Sequence, residues 1–163
     1  MTEEHQIPNK STLNLNGTII EVANLRKKYG GLSAVDVIAF SVNPGETYGL
    51  LGPNGAGKTT VMRLLSGLAQ ATSGSIVVAG LDVIIDGRGV REIMGVVTQN
   101  DGLDNTLTVF QNLYLYGFLA GLSKERAKER THEVLVFFGL DDRSDANVYE
   151  LSGGMKRRLA IAR

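Results

Sequence analysis

Residues 52–59 of this chain are Gly52-Pro53-Asn54-Gly55-Ala56-Gly57-Lys58-Thr59, which fit the pattern G-x-x-x-x-G-K-[ST]. The segment before this loop, Thr47–Leu51, is predicted to be a short buried strand, and Thr59–Leu65 is predicted to open a helix. The glycines let backbone N–H groups approach a phosphate closely, and the positive end of the helix dipole adds to the attraction. The stretch therefore predicts a site for a nucleoside triphosphate.

The side chains at the end of this loop have separate expected roles. Lys58 is expected to reach the β- and γ-phosphates, and the Thr59 hydroxyl is expected to bind Mg²⁺. Thr60, one step further into the helix, is expected to bond the α-phosphate. An ordinary glycine-rich turn is the alternative, since the chain has 20 glycines among 163 residues, but the flanking strand and helix favour the phosphate site.

The bulk composition limits the classes of protein that this chain can belong to. The hydrophobic share is 43% and the charged share 21%, as in a soluble globular protein of one domain. A formal net charge of zero argues against a general nucleic-acid binder. The absence of cysteine excludes disulfides and thiolate metal sites among these residues. No run is long enough to span a membrane, so a membrane role is expected to come through a partner.

The first part of the chain is expected to form an α/β layer after a flexible polar leader, residues 1–16. Besides Thr47–Leu51, four short apolar runs broken by glycine have the composition of strands. They are Thr18–Val22, Val37–Val42, Ser75–Ala79 and Ile93–Val97.

From Thr106 onward, a pattern typical of helices replaces these short apolar runs. Thr108 and Gln111 have the form of a capping box, which predicts a helix to about Leu119. Ser123 is predicted to cap a second helix, which Gly139 ends. The predicted division is therefore 17–105 for the β subdomain and phosphate-loop core, 106–150 for a helical subdomain, and 151–163 for a second motif with the start of its helix.

That second motif follows the helical block. Ser152 is a good N-cap, and the two glycines after it expose backbone N–H groups at the start of a predicted helix. Taken alone, this pattern favours an ordinary capped helix over a second anion site. The motif consists of Leu151, Ser152, Gly153, Gly154 and Met155.

Together the two motifs closely resemble the nucleotide-binding domain of ATP-binding-cassette (ABC) transporters, from about Gly17 to the end of the chain. The resemblance implies an α/β P-loop NTPase core with an N-terminal antiparallel β subdomain and a helical subdomain. It also implies that ATP is held between two such domains packed head to tail. The motif at 151–155 then serves as the signature that caps the γ-phosphate of the partner's ATP.

The resemblance assigns two further residues. Tyr29 lies where the family places an aromatic ring that stacks on adenine, although a half-buried packing role is the alternative from the residue alone. Gln99 matches the glutamine that reaches Mg²⁺ or the attacking water, and Lys58 and Gln99 are the implied catalytic residues. The implied cofactors are ATP and Mg²⁺, and nucleic acid is not an expected partner.

The resemblance also implies a location and a task. The implied partners are a second ABC domain and a transmembrane permease, which place the chain in the cytoplasm, peripheral on the inner face of the cell membrane. The form LSGGMKRR looks like the branch that exports drugs, lipids and polysaccharides. The three basic residues in that form, Lys156, Arg157 and Arg158, are expected to be a solvated face.

The chain is expected to be a fragment that stops after the signature, with the C-terminal part of the core missing. The family's aspartate, the general-base glutamate and the switch histidine all follow the signature, and no histidine follows Met155. Val83–Asp86 and Val134–Asp142 imitate the missing strand, but both are expected to be structural. The implied ATPase activity therefore belongs to the family, and catalysis by these residues alone is not expected.

Three other functions stay open at this stage. Asp86–Gly89 fits the D-x-x-G of a GTPase switch, although no N-K-x-D base-reading motif follows it. A soluble ABC protein without a transport role is a second alternative, but neither tandem cassettes nor a long coiled-coil insertion is visible. A nucleotide-binding remnant that does not hydrolyse ATP is the third.

Overall fold

The computed structural model of the chain describes residues 17–99 and 102–163. The predicted leader, residues 1–16, lies outside the described residues. The chain divides into two compact units, Met1–Val96 and Val97–Arg163. The two units meet between residues 96 and 97, whereas the predicted β subdomain and phosphate-loop core extended to residue 105. The signature segment, residues 151–155, lies in the same unit as the helical block.

The first unit contains a four-stranded antiparallel sheet in the order β2-β1-β3-β4. Two helices accompany the sheet, and the second of them was not predicted. The strands are β1 (Ile20–Tyr29), β2 (Leu32–Val42), β3 (Ser73–Val78) and β4 (Leu81–Asp82), and the helices are α1 (Lys58–Leu65) and α2 (Gly87–Ile93).

Helix α1 packs against this sheet through its apolar side. Val61 and Leu64 of α1 share a core cluster with Val22 and Leu25 of β1 and with Ile76 of β3. Leu25 and Leu64 are fully buried. Because α1 begins at the end of the phosphate-loop motif, this packing fixes the loop to the sheet.

Two of the predicted strands are wrong. Thr47–Leu51 and Ile93–Val97 belong to no strand of the sheet, and Ile93 is instead the last residue of α2. A strand requires a hydrogen-bonded neighbour, and among the described residues neither segment has one. The same stretches leave apolar side chains exposed, including Leu51 at 92%.

The second unit is helical. A second hydrophobic core cluster lies between its helices. Leu135, Leu140 and Leu159 of this cluster are fully buried. The helices are α3 (Val109–Leu119), α4 (Lys124–Phe138) and α5 (Gly153–Ala162), with 3-10 turns at Asp141–Arg143 and Val148–Glu150.

The predicted helix boundaries in this unit are confirmed. The Thr108 side chain accepts a hydrogen bond from the Gln111 N–H, and the Gln111 side chain accepts one from the Thr108 N–H, so the capping box is complete. Ser123 caps α4, and Gly139 ends it in the left-handed conformation. The predicted α/β class, with an antiparallel sheet followed by a helical block, is likewise the observed one.

Candidate nucleotide-binding site

The loop at residues 52–59 turns through conformations that favour glycine. Gly55 has φ +85° and Gly57 has φ +82°, both in the left-handed region. A Cβ added at Gly57 would lie 2.2 Å from the carbonyl oxygen of Ala34 in β2, whereas one added at Gly55 would meet nothing. Gly57 therefore allows the backbone of the loop to lie directly against β2. No pattern in the sequence indicates that Ala34 is the neighbour of Gly57.

Helix α1 starts without a side-chain cap. Gly57 occupies the N-cap position, and no side chain accepts a hydrogen bond from the first turn. The first turn also contains no acidic residue. The N–H groups of that turn, together with the positive end of the helix dipole, are thus available to an anion.

The Lys58 ammonium lies over the loop. Its Nζ donates to the carbonyl oxygens of Gly52 at 2.7 Å and Pro53 at 2.6 Å. The loop itself is tightened by a hydrogen bond of 3.2 Å from the Ala56 N–H to the Pro53 carbonyl. A positive charge is therefore held beside the uncapped start of α1, where an incoming phosphate can exchange places with the two carbonyls.

The two threonines of α1 follow at once. Thr59 is exposed and Thr60 is half-buried. No group of three or more histidine, aspartate and glutamate side chains suited to a metal lies within residues 17–99 and 102–163. A lone hydroxyl beside a phosphate loop nevertheless suits Mg²⁺, which keeps several waters and takes phosphate oxygens as ligands.

A cavity of about 230 Å³ lies against the loop within the first unit. Most of its lining residues are apolar, and they come from β2, from the segment before the loop, from the loop itself and from α1. Asp36 and Lys58 are its charged lining residues, and the Asp36 carboxylate also pairs with Arg26 at 3.9 Å. The sequence alone does not indicate a role for Asp36.

Tyr29 ends β1, opposite Leu32 of β2 in the register of the sheet. Tyr29 is 47% exposed, and Lys27 Nζ lies 4.7 Å from the centre of its ring. Leu32 precedes Ala34 by two residues, or about 7 Å of strand. Since Ala34 contacts the loop at Gly57, the hairpin that carries Tyr29 is tied to the phosphate loop.

The remaining predicted site residues lie in the second unit. Gln99 is exposed in a bend. Ser152 caps α5, where its Oγ accepts a hydrogen bond of 3.3 Å from the Met155 N–H. Gly153 and Gly154 are exposed, whereas Leu151 is buried. The structure thus gathers the loop residues in one unit and places Gln99 and the signature in the other.

The segments that imitated other motifs have structural roles. Asp86 caps α2, and its Oδ1 accepts a hydrogen bond of 2.9 Å from the Gly89 N–H. Val83 is buried in the first core cluster. Val134 belongs to α4, as predicted. No helix among residues 17–99 and 102–163 has the length and apolar character needed to cross a membrane.

Known proteins resemble this chain along most of its length. The family model described as ABC transporter matches residues 35–163. The Nod factor export ATP-binding protein I of Cupriavidus metallidurans is 44% identical over 145 residues, which cover 89% of this chain and 48% of that protein. The protein of the same name from Burkholderia orbicola is 46% identical over 144 residues, covering 88% and 47%. The chain thus spans about half the length of these curated relatives.

Two solved structures share the fold. The cbiO1 protein of Clostridium perfringens, part of the ABC transporter complex cbiONQ, has a TM-score of 0.76 and 26% identity. An ATP-binding subunit of an ABC transporter has a TM-score of 0.72 and 28% identity. Each match covers 89% of this chain and 60% of the other. The phosphate loop, the signature segment and the match over residues 35–163 agree, and the chain belongs to the ABC transporter family.

Proposed function

We propose that this chain is the nucleotide-binding part of an ABC-type ATPase that couples ATP binding and hydrolysis to export through a transmembrane permease. The observation that carries the proposal is the uncapped start of α1 with the Lys58 ammonium held over the loop. This arrangement offers N–H donors and a positive charge at one point, as a triphosphate requires. The relatives named as Nod factor export proteins support the direction of transport.

The proposed roles of the first unit follow from its geometry. Phosphate oxygens replace the Gly52 and Pro53 carbonyls as acceptors for Lys58 Nζ. The backbone of the loop, residues 52–59, then surrounds the β-phosphate while Thr60 bonds the α-phosphate. The exposed face of Tyr29 stacks on the adenine, which is a sequence-tolerant contact and discriminates weakly between bases.

Thr59 and Gln99 are the proposed protein contacts of Mg²⁺. Both are exposed and both offer neutral oxygen donors. When bound, Mg²⁺ supplies neutralisation of the charge on the triphosphate.

The signature segment is proposed to act on the ATP of a second ABC domain. Ser152 keeps its hydroxyl proton for a phosphate oxygen while its Oγ accepts the Met155 N–H, and Gly154 leaves its backbone exposed. The second domain and the permease are thus the proposed partners, with the chain at the inner face of the cell membrane.

The GTPase alternative is not supported by the structure of its motif. In a switch the D-x-x-G aspartate faces the nucleotide's metal ion, but the Asp86 carboxylate accepts the Gly89 N–H at the start of α2. The motif is therefore accounted for by helix capping.

The test is ATP-dependent export in membranes that contain the complete transporter. Lys58→Ala is expected to reduce export and ATP hydrolysis to background, because the mutation removes the charge at the phosphates. Lys128→Ala is the matched control, since Lys128 is an exposed lysine on α4, and full activity is expected. Equal export by both variants would contradict the proposal.

A further inference from the structure

Arg157 of α5 and Arg163, the residue that directly follows α5, contact the backbone on either side of Gln99 in the sequence. Arg157 Nη1 donates a hydrogen bond of 2.9 Å to the carbonyl oxygen of Thr98. Arg163 Nη1 donates to the carbonyl oxygen of Gly102. All of these residues lie in the second unit, so the contacts are internal to one compact body.

The Arg163 guanidinium is held from two sides. Its carbon lies 4.8 Å from the centre of the Tyr116 ring, which is a cation–π contact with α3. Gly102 has φ +59°, and a Cβ there would lie 3.4 Å from Arg163 Nη2. A glycine at this position thus lets the guanidinium lie directly against the backbone.

Helix α5 is also held by apolar packing. Leu159, between the two arginines in sequence, is fully buried in the second core cluster. Leu103, which directly follows Gly102, packs against that same cluster. Arg163 follows Arg157 by six residues, and the two side chains contact separate backbone points, Thr98 and Gly102.

We infer that Arg157 and Arg163 are positioning residues for Gln99, and that they couple its position to that of the signature helix. The same helix carries Ser152 at its N-terminus. A displacement of α5 when its N-terminus engages a nucleotide is therefore passed through Arg157 to Thr98, and Gln99, the next residue, moves with it. The catalytic consequence rests on the proposed function, whereas the mechanical coupling does not.

The neighbouring arginine provides an internal comparison. The sequence predicted a solvated face for the three basic residues 156–158, and Arg157 and Arg158 are indeed exposed. Arg157 nevertheless has a backbone partner 59 positions away. Among the described residues the Arg158 side chain has no hydrogen bond or ion pair. Arg158 therefore has the same charge and lies on the same helix as Arg157, but it lacks the contact with Thr98.

A spin label at position 99 tests the coupling without any nucleotide. The 163 residues contain no cysteine, so Gln99→Cys introduces a single thiol among them. In the complete protein we expect Arg157→Ala to shorten the rotational correlation time of the label about twofold or more, because a charge-assisted hydrogen bond is lost. Arg158→Ala is expected to leave it unchanged, and Arg157→Lys to restore part of the restriction. Equal label mobility in the two alanine variants would overturn the inference.

Hydrogen exchange checks the same point with Gln99 in place, including the case in which a labelled variant fails to fold. Amides 97–99 are expected to exchange about fivefold faster in Arg157→Ala and at the original rate in Arg158→Ala.

In ATP hydrolysis, Arg157→Ala is expected to lower kcat while KM for ATP stays within about twofold, because Arg157 lies outside the unit that contains the phosphate loop. Unchanged exchange at 97–99 would overturn the coupling. Unchanged label mobility in Arg157→Ala would contradict the coupling. A loss of ATP binding by every variant would instead contradict the proposed function.

Discussion

The helices α1 and α5 begin in opposite ways. Gly57 leaves the first turn of α1 without a side-chain acceptor, and Lys58 brings a positive charge to it. Ser152 caps α5, and its Oγ accepts the Met155 N–H. Both starts contain glycine and a nearby basic residue. No side chain accepts a hydrogen bond from the first turn of α1, whereas Ser152 already accepts one from the Met155 N–H of α5. The comparison suggests that α1 binds an anion by itself and that α5 contributes to a site only when a partner brings one.

The largest expected loss of stability comes from disturbing the packing of the α1 N-terminus against the sheet. Gly57→Ala is expected to destabilise the first unit by about 4 kcal/mol, because left-handed backbone strain adds to a clash with the Ala34 carbonyl. Gly55→Ala is the matched control, since its φ is similar but its surroundings are open, and about 1 kcal/mol is expected. Denaturant unfolding measures both, and equal losses would show that the contact with Ala34 is unimportant.

The next effect concerns the anchor of α5. Leu159→Ala is expected to destabilise the second unit by about 3 kcal/mol, because Leu159 is fully buried in its core cluster. Ile161→Ala, on the same helix but 47% exposed, is expected to cost less than about 1 kcal/mol. Hydrogen exchange shows which unit opens, and faster exchange in β1 rather than in the helices would contradict this assignment.

A smaller effect is expected from the cap itself. Ser152→Ala is expected to cost about 1 kcal/mol of stability in α5, because the Met155 N–H loses its acceptor. Ser152→Thr retains a hydroxyl and serves as the control. If Ser152→Ala left unfolding unchanged, Ser152 would not be acting as a cap, and the contrast with α1 would disappear.

The smallest effect is a pH dependence in the second unit. Hydrogen bonds from the Thr106 hydroxyl and then the Thr106 N–H lower the pKa of Asp104. A lowered folded-state pKa adds stability that is present above the ordinary aspartate pKa and is lost as the pH falls through the folded-state value. Thr106→Val removes the larger cause and is expected to raise the Asp104 pKa, which a carboxyl NMR titration measures. An unchanged titration would contradict this cause.

The helical unit followed the sequence more closely than the sheet did, for a physical reason. Thr108, Ser123 and Gly139 act on backbone groups within a few residues, so their patterns determine where a helix begins or ends. Sheet pairing joins distant residues, such as Ile20 with Val78. No local pattern could show that Thr47–Leu51 lacks a partner among the described residues. The phosphate loop was predictable as a motif, but the contact of Gly57 with Ala34 and the reach of Arg157 to Thr98 depend on tertiary structure.

The contrast between the two helix starts is tested most directly by amide NMR during titration with Mg-ATP, at a concentration that keeps the chain monomeric. We expect the amide signals of residues 55–60 to shift, those shifts to be lost in Lys58→Ala, and the amide signals of residues 153–155 to stay unshifted. Shifts at 153–155 without any at 55–60 would contradict it.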